Sequence, residues 1–265
     1  MPEGDTVWRT ALHLDKALTG ATLVETDFRV PAHATLDLSG RPVESTLARG
    51  KHLLTRIGDA HTLHTHLKME GAWHLYKPGT GWRRPSHEAR VVLRTEDWSA
   101  VGFALGVVEV VDRDAEDTVV GHLGPDLLGP DWDEDEVLRR LLADPAQPVA
   151  DALLDQRNLA GIGNMYKSEL CFLAVVSPWA PVAQVPDLLR LVRRARSVLD
   201  ANKERVEQTT TGDLHRGRRM WVYRRDKQPC LRCGTRIEVA MQGEEQEERA
   251  TYWCPACQPA PGGGH

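Results

Sequence analysis

The sequence predicts an α+β protein of several domains: a β-sandwich with a leading helix, then a helical domain, then a small β-hairpin held by four cysteines. Three observations lead to this prediction. Short apolar runs separated by Gly, Pro and Asp fill residues 22–111, which is typical of strands. Apolar residues recur at helical spacing between residues 134 and 202. Two Cys-x-x-Cys pairs lie close to the end of the chain.

The first residues form the first candidate catalytic site. If Met1 is removed, Pro2 becomes the chain terminus, and an α-amino group has an unperturbed pKa of about 7.7–8.0. Such a secondary amine is partly neutral near pH 7 and can add to a sugar aldehyde carbon to form an iminium. Glu3 follows directly and could transfer protons there. Many chains begin with Met-Pro without this chemistry, so these residues alone do not establish a catalytic site.

A helix is predicted directly after these residues. Asp5 is its predicted N-cap, the helix covers residues 6–18, and Gly20 ends it. Four apolar residues recur at helical spacing and predict its buried stripe: Val7, Ala11, Leu14 and Leu18.

The region that follows is predicted to form a β-sandwich or a barrel-like pair of sheets. Its predicted strands cover residues 22–28, 53–57, 62–67, 72–76, 89–95 and 101–111. Lys51 lies between two of them and is predicted at the tip of a hairpin; by itself it is an ordinary surface lysine. His64 and His66 alternate on one face of a strand, but no Glu-x-x-His pattern accompanies them, so no catalytic metal is predicted.

The net charge of the 265-residue chain is −5 at pH 7, which taken alone argues against a nucleic-acid binder. The charge is segregated, however. Residues 112–136 hold ten acidic side chains and one basic one, whereas residues 213–227 hold six Lys or Arg and two Asp. Binding depends on where the charge lies rather than on its sum. A local basic surface therefore remains available for a polyanion.

The helical region contains a candidate anion site. Helices are predicted over residues 134–142, 149–154, 164–175 and 185–202. Gly161-Ile-Gly163-Asn164 opens directly onto one of them, and its glycines allow a bulky anion to approach the free N–H groups of the helix start. Asn164 adds a side-chain amide, and the neighbouring Lys167 favours a nucleic-acid backbone as the anion. The alternative is an ordinary corner between two helices.

The last part of the chain predicts a metal site. Cys230-x-x-Cys233 and Cys254-x-x-Cys257 are separated by 20 residues, which matches the pattern of a four-thiolate zinc site. Such a site is closed, so the zinc would fold the module and perform no chemistry; bound iron or two disulfides are the alternatives. Strands are predicted over residues 237–239 and 251–253, with Arg249 presented nearby, and Cys171 is predicted to be a buried thiol.

Taken in order, these pieces resemble the formamidopyrimidine-DNA glycosylase / endonuclease VIII family over residues 1–258. The motifs that carry the resemblance are Met-Pro-Glu-Gly at the start, Arg49-Gly-Lys51, His66-Leu-Lys-Met69-Glu-Gly, Leu123-Gly-Pro-Asp126, Asp155-Gln-x-x-Leu-x-Gly161-Ile-Gly163-Asn164-x-Tyr166-x-x-Glu169, Val222-Tyr-Arg, and Arg249-Ala-Thr-Tyr-Trp-Cys254.

The resemblance implies a β-sandwich domain, a helix–two-turn–helix domain and a zinc finger, which we assign to residues 1–115, 134–222 and 223–258. The acidic composition predicts a linker over residues 116–133, and the Pro/Gly-rich end predicts a disordered tail over residues 259–265. The resemblance further implies a bifunctional DNA glycosylase and abasic-site lyase of base excision repair. Its partner would be damaged double-stranded DNA, with single-stranded and bubble DNA left open. The protein is expected to be a monomer in the cytoplasm, associated with the nucleoid when bound to DNA, and not secreted.

The resemblance also implies roles for individual residues. Pro2 would attack C1′ of a damaged nucleotide flipped out of the duplex, and Glu3 would protonate the opening sugar. β-Elimination and then δ-elimination would cut the strand, with Lys51 and Arg249 as the respective proton donors. Lys51, His66, Asn164 and Arg249 would grip phosphates, and Met69 would fill the space left by the flipped base. The alternative for Met69 is a core methionine.

Three departures from the family pattern bear on the substrate. Thr6 stands where the family usually has a Glu, which concerns the proton relay. Residues 100–106 lack the Arg that the oxidised-purine branch inserts opposite the lesion, and only residues 211–220 are available for the lid that this branch folds over 8-oxoguanine. The sequence therefore favours the endonuclease VIII branch and oxidised pyrimidines. The alternatives are an oxidised-purine glycosylase and a non-catalytic zinc-finger protein that binds damaged DNA.

Overall fold

The computed structural model of the chain describes residues 2–243 and 248–260, which form two compact units divided between His122 and Leu123. The predicted α+β class is confirmed. Within those ranges, no helix is both long and apolar enough to cross a membrane. Residues 261–265 of the predicted tail lie outside the described residues.

The first unit begins with helix α1, Gly4–Leu18. Its predicted apolar stripe is confirmed, because all four side chains are at most 4% exposed. The predicted N-cap was wrong: Glu3 occupies the N-cap, and Asp5 lies in the first turn, where its carboxylate accepts the Thr6 N–H at 2.7 Å. The carbonyl of Glu3 accepts the Val7 N–H at 3.0 Å, so the first helical hydrogen bond forms two residues earlier than predicted.

Eight strands follow, in two antiparallel sheets of four. Their bounds are β1 Glu25–Phe28, β2 Val43–Arg49, β3 His52–Ile57, β4 His61–His66, β5 Ala72–Tyr76, β6 Ala89–Arg94, β7 Ser99–Phe103 and β8 Val107–Asp112. One sheet has the order β1-β6-β7-β5 and the other β2-β3-β4-β8. Buried apolar residues of both sheets and of α1 form one shared core, which confirms the sandwich.

Two strand predictions were wrong. Strand β2 was missed because its buried residues, Val43 and Thr46, do not alternate regularly with polar ones. The single predicted strand over residues 101–111 is two strands, β7 and β8, in different sheets. Ala104, at φ +46°, breaks the apolar run, and the Gly106 N–H bonds to the His66 carbonyl at 3.0 Å. The chain therefore crosses between the sheets there.

The acidic stretch after β8 contains a 3₁₀ turn, Arg113–Ala115, and a short helix α2, Asp117–Val120. Glu116, between them, forms a bidentate ion pair with Arg56 at 2.8 Å and accepts the Thr62 hydroxyl at 2.6 Å. The bond to Arg56 lowers the pKa of Glu116. This part of the predicted linker is thus attached to the first unit; the predicted domain boundaries as such stay predictions.

The second unit contains helices α3 Glu134–Leu141, α4 Val149–Leu154, α5 Asn164–Leu173 and α6 Leu188–Asn202, around one apolar core. Helix α6 begins three residues later than predicted because Asp187 caps it, accepting the Arg190 N–H at 2.8 Å. Strands β9, Glu238–Gln242, and β10, Arg249–Trp253, then form the predicted antiparallel hairpin.

One buried carboxylate fixes the segment between α6 and the hairpin. Glu169 is fully buried and accepts the backbone N–H groups of Trp221, Val222 and Tyr223, each at 2.8 Å, and the hydroxyl of Thr210. Burial raises the pKa of Glu169, whereas these donors oppose that rise. The segment is therefore held by α5 although it contains no regular secondary structure.

Candidate nucleic-acid interface and metal centre

The structure places Pro2 and Glu3 immediately before α1. Pro2 is half-buried and Glu3 is fully buried. Because the Glu3 carbonyl already accepts a helical hydrogen bond, the backbone of residue 3 is fixed by the helix. Glu3 is therefore held at the start of α1, and Pro2 directly precedes it in the chain.

Lys51 lies in the two-residue turn of the β2–β3 hairpin, as predicted. Arg49 and His52 are paired across the hairpin, and Gly50 adopts φ +58°, which the first position of a type II′ turn requires. The Lys51 side chain is half-buried. The turn therefore presents one lysine from a fixed backbone.

Beside this hairpin lies a cluster of four imidazoles that the sequence did not predict. His52 Nδ1 lies 2.8 Å from His64 Nε2, and His64 Nδ1 lies 2.9 Å from a carboxylate oxygen of Glu109. The rings of His66 and His122 lie 5.0 and 6.0 Å from that of His52. The carboxylate can only accept, so His64 donates to Glu109 and His52 donates to His64.

His52 and His66 are held neutral. Burial, together with the charges of His66 and His64, lowers the pKa of His52 to about 3. Burial, followed by Lys68 and Lys51, lowers the pKa of His66 to about 4. The Lys68 N–H donates to His66 Nδ1 at 2.9 Å, which leaves the ring proton on Nε2. Neutral His66 can therefore still donate one hydrogen bond to an anion.

Met69 stands on a tight turn after β4 and is 56% exposed, which excludes the core alternative. Lys68 adopts φ +53°, and the Gly71 N–H bonds to the Leu67 carbonyl at 2.9 Å. A Cβ at residue 71 would lie 2.4 Å from that carbonyl oxygen, so only glycine fits. The turn is fixed by its backbone, and the Met69 side chain projects from it.

The loop before α5 has the shape that the sequence predicted for an anion site. Gly161, at φ +116°, donates its N–H to Gln156 Oε1 at 3.1 Å, and Gln156 Nε2 donates to the Leu154 and Ile162 carbonyls at 2.6 and 2.9 Å. Gln156 thus holds both turns between α4 and α5. Gly163 is the N-cap of α5, so the helix start carries no side chain at the cap position.

Asn164 and Arg249 are brought together, which the sequence could not show. Asn164 Nδ2 donates to the Ala250 carbonyl at 2.8 Å, and Ala250 follows Arg249 on β10. Arg249 is exposed. The Asn164 Oδ1 atom is buried and has no hydrogen-bond partner among the described residues. The helix start and the strand that carries Arg249 therefore form one junction.

Lys167 does not belong to the anion site. It is fully buried, and its Nζ donates to the Thr251 hydroxyl at 2.7 Å. The expectation that it adds an accessible cation was wrong, because it lies on the buried face of α5 and bonds to β10. It therefore joins the helix to the hairpin instead.

The four predicted cysteines form one cluster. The Sγ atoms of Cys230, Cys233, Cys254 and Cys257 all lie within 4.8 Å of one another, and none is in a disulfide. A tetrahedral site with Zn–S bonds of about 2.3 Å has S–S edges of about 3.8 Å, and Cys233 and Cys254 lie 3.5 Å apart. Hydrogen bonds from Thr235 lower the pKa of Cys233 to about 6, which favours the thiolate that a metal binds. The cluster fits a four-coordinate metal ion.

Cys171 is separate from that cluster. Its thiol is fully buried, as predicted, and burial raises its pKa to about 12. It is therefore neither a metal ligand nor a reactive thiol.

Two loops that bear on substrate choice are short. Only Ala104, Leu105 and Gly106 connect β7 and β8, and Leu105 is buried, so this loop presents no basic or aromatic side chain. In the segment after α6, the Thr210 N–H bonds to the Arg219 carbonyl at 2.9 Å. That bond confines residues 211–218 to a small closed loop.

Comparison with known proteins finds the same family in both units of the chain. Residues 1–104 match the family model for the formamidopyrimidine-DNA glycosylase N-terminal domain, and residues 123–213 match the model for its H2TH domain. The probable endonuclease 8 2 of Streptomyces coelicolor is 53% identical and covers 99% of this chain and 97% of its own length. The DNA-(apurinic or apyrimidinic site) lyase Nei2 of Mycolicibacterium smegmatis is 51% identical, over 98% and 100%.

A solved structure shows the same fold. The complex between the Lactococcus lactis Fpg and an abasic site containing DNA has a TM-score of 0.80 and 22% identity, over 97% of this chain and 99% of that one.

Proposed function

This chain belongs to the formamidopyrimidine-DNA glycosylase family, in its endonuclease VIII-like branch, and we propose that it excises oxidised bases from DNA through its Pro2 amine. It acts as a DNA glycosylase and abasic-site lyase of base excision repair, as the names of its relatives indicate. The observation that carries the choice of residue is the fully buried Glu3, which directly follows Pro2 and is held by the first turn of α1.

The proposed reaction begins with attack of the Pro2 nitrogen on C1′, which breaks the bond to the damaged base. Glu3 protonates the sugar oxygen as the ring opens, and the resulting iminium draws electrons from the sugar. Loss of a C2′ proton then expels the 3′ phosphate, and a second elimination expels the 5′ phosphate. Lys51 and Arg249 donate protons or hydrogen bonds to these two leaving groups.

The proposed grip on DNA uses phosphate contacts from both units. Lys51 and His66 contribute from the β2–β3 hairpin and the end of β4, and Asn164 and Arg249 contribute from the junction of α5 and β10. Phosphate contacts position a protein on a duplex without reading its sequence. Met69, which is 56% exposed, would occupy the space of a flipped nucleotide. Damaged duplex DNA is the proposed partner of a monomeric enzyme in the cytoplasm.

The metal proposed for the four-cysteine cluster is zinc. Four thiolates around one ion leave no open coordination position, so the ion stabilises the hairpin that carries Arg249 and takes no part in the reaction.

Oxidised pyrimidines are the proposed substrates. The three-residue β7–β8 loop offers no side chain to replace the base opposite the lesion, and the closed loop 211–218 is too short to fold over a purine. Base-release rates on duplexes that each carry one lesion test this point. Faster release of 8-oxoguanine than of oxidised pyrimidines would favour the oxidised-purine alternative.

Borohydride trapping tests the nucleophile. The protein is incubated with abasic-site duplex DNA and borohydride, which reduces the iminium to a stable covalent adduct. We expect Pro2→Gly, or retention of Met1, to abolish the adduct, because each removes the terminal secondary amine. Glu96→Gln, at an exposed position in the turn between β6 and β7, serves as the control and should trap normally. Full trapping by Pro2→Gly would instead identify another amine, with Lys51 as the first suspect.

A further inference from the structure

Helix α6 carries two exposed arginines without a counter-charge. In the described part of the chain, the side chains of Arg190 and Arg194 take part in no ion pair or hydrogen bond. They lie one turn apart, and like charges at this spacing destabilise a helix. By contrast, Arg193 forms a bidentate pair with Glu134 at 2.7 and 2.9 Å. The unpaired residues are therefore a distinct cationic site on this helix.

These two arginines border two grooves. One has a volume of about 480 Å³, and its other basic lining residues are Arg193 and Arg205. The second has a volume of about 230 Å³ and is largely apolar. Arg190 and Arg194 line both, and the apolar walls of the second groove are Leu173, Ala174, Val175, Val185, Pro186 and Leu191.

Among the lining residues of the apolar groove, Val175 is exposed, whereas Val185 and Leu191 are buried. Val175 is 53% exposed and follows the end of α5 with φ +56°, a backbone conformation that β-branched residues rarely adopt. The groove volume lies below the range of about 300–1,000 Å³ that is usual for small-molecule sites. It suits the anchoring of an apolar side chain rather than a cofactor.

We propose that these grooves, which we call the α6 groove pair, bind an extended acidic peptide segment of a partner protein. The carboxylates of the segment would bind Arg190 and Arg194, and one large apolar side chain would occupy the groove beside Val175 and Leu191. Arginine pairs carboxylates through planar, bidentate hydrogen bonds, and an apolar anchor beside charged groups is the usual composition of a peptide hot spot.

A nucleic acid fits the same surface less well. Phosphates could contact the arginines, but the apolar groove offers a phosphodiester backbone nothing to bind. None of Lys51, His66, Asn164 and Arg249 lines either groove. The α6 groove pair is therefore assigned to a protein partner rather than to a continuation of the DNA contacts.

The test uses short fluorescein-labelled peptides and the full chain. The first peptide is acidic with one central phenylalanine, the second has serine in place of phenylalanine, and the third has glutamine in place of its acids. We expect the first to bind most tightly. Arg190→Glu together with Arg194→Glu should weaken it at least about tenfold, because opposite charge becomes like charge.

Matched variants complete the test. Arg139→Glu is the charge control, since Arg139 is exposed and lines neither groove. Val175→Gly removes an apolar wall and also relieves the backbone strain, so the fold should survive; it should weaken the phenylalanine peptide and leave the serine peptide unchanged. Normal borohydride trapping by each variant shows that the enzyme is folded.

Two results would overturn the proposal. One is equal binding of the phenylalanine and serine peptides to the unsubstituted protein. The other is displacement of the peptide by an undamaged oligonucleotide whose own binding falls as much as that of the peptide when Arg190 and Arg194 are replaced. That result would assign the grooves to nucleic acid.

Discussion

The two regions proposed to grip phosphates use different chemistry. In the first unit, the hairpin at Lys51 lies beside His52 and His66, which burial keeps neutral until the pH falls toward 4. In the second unit, the arrangement of Asn164 and Arg249 depends on one hydrogen bond and on the cysteine cluster. One region is therefore sensitive to protons and the other to metal.

Of the changes that separate the two regions, metal removal is expected to have the largest effect on DNA binding. Chelation, or Cys254→Ser, should weaken binding to an abasic-analogue duplex at least about 100-fold, because a structural site supplies about 10–16 kcal/mol toward the fold of such a module. The β-sandwich should keep its thermal transition. The measurement is duplex affinity against metal content. Cys171→Ala is the control and should retain the metal, and undiminished binding by metal-free protein would contradict the role of the cluster.

A double-mutant cycle tests the junction next. Asn164→Ala should weaken binding to all duplex sequences about equally, and its effect should not add to that of Arg249→Ala, because the bond to Ala250 couples the two residues. Coupling energies in such networks are about 0.5–3 kcal/mol, whereas independent sites add within about 0.5 kcal/mol. Asn164→Ala and Lys51→Ala should therefore add. Additive effects of Asn164→Ala and Arg249→Ala on duplex affinity would contradict the proposed coupling of these two residues.

The hairpin region should show a smaller effect that depends on pH. The folded pKa values of His52 and His66, about 3 and about 4, lie below the ordinary 6.5, so the unfolded chain binds more protons between these values. Stability is thus complete above pH 6.5 and is lost as the pH falls toward 4. We expect His52→Phe to lessen this loss by a few degrees in the melting temperature. An unchanged pH profile would mean that His52 titrates normally.

The smallest effect on thermal stability is expected from Glu109, the carboxylate that accepts a hydrogen bond from the imidazole cluster. The Glu109 side chain is 51% exposed, and exposed pairs contribute about 0–1 kcal/mol. Glu109→Gln should change the thermal stability at pH 7 by less than about 1 kcal/mol, since a glutamine oxygen still accepts from His64. A larger loss would show that the carboxylate charge itself stabilises the cluster.

The features that could be predicted from the sequence are those that depend on residues close together in the chain. The stripe of α1, the hairpin at Lys51 and the four cysteines each depend on residues a few positions apart, and the comparisons and the structure confirm the fold class they imply. The caps were predicted less well. Glu3 and Asp187 begin their helices through local bonds that compete with other candidates nearby.

Contacts between residues far apart in the chain could not be predicted from the sequence. His52 meets His66 only because β3 and β4 pair in one register, and Asn164 bonds to a residue 86 positions away. A signal for the first existed in the recurrence of histidine at alternate positions of neighbouring strands. Nothing in the sequence distinguishes Lys167, which is buried, from the exposed Arg249.

The turn that carries Met69 has a consequence for how substrate range can evolve. Its shape depends on the Gly71 backbone, the left-handed Lys68 and the Lys68 N–H bond to His66, and the Met69 side chain contributes nothing to it. Selection can therefore exchange residue 69 at little cost in stability. On the role proposed for Met69, the side chain that fills the space of the flipped nucleotide could change through one codon, without any compensating change in the β-sandwich.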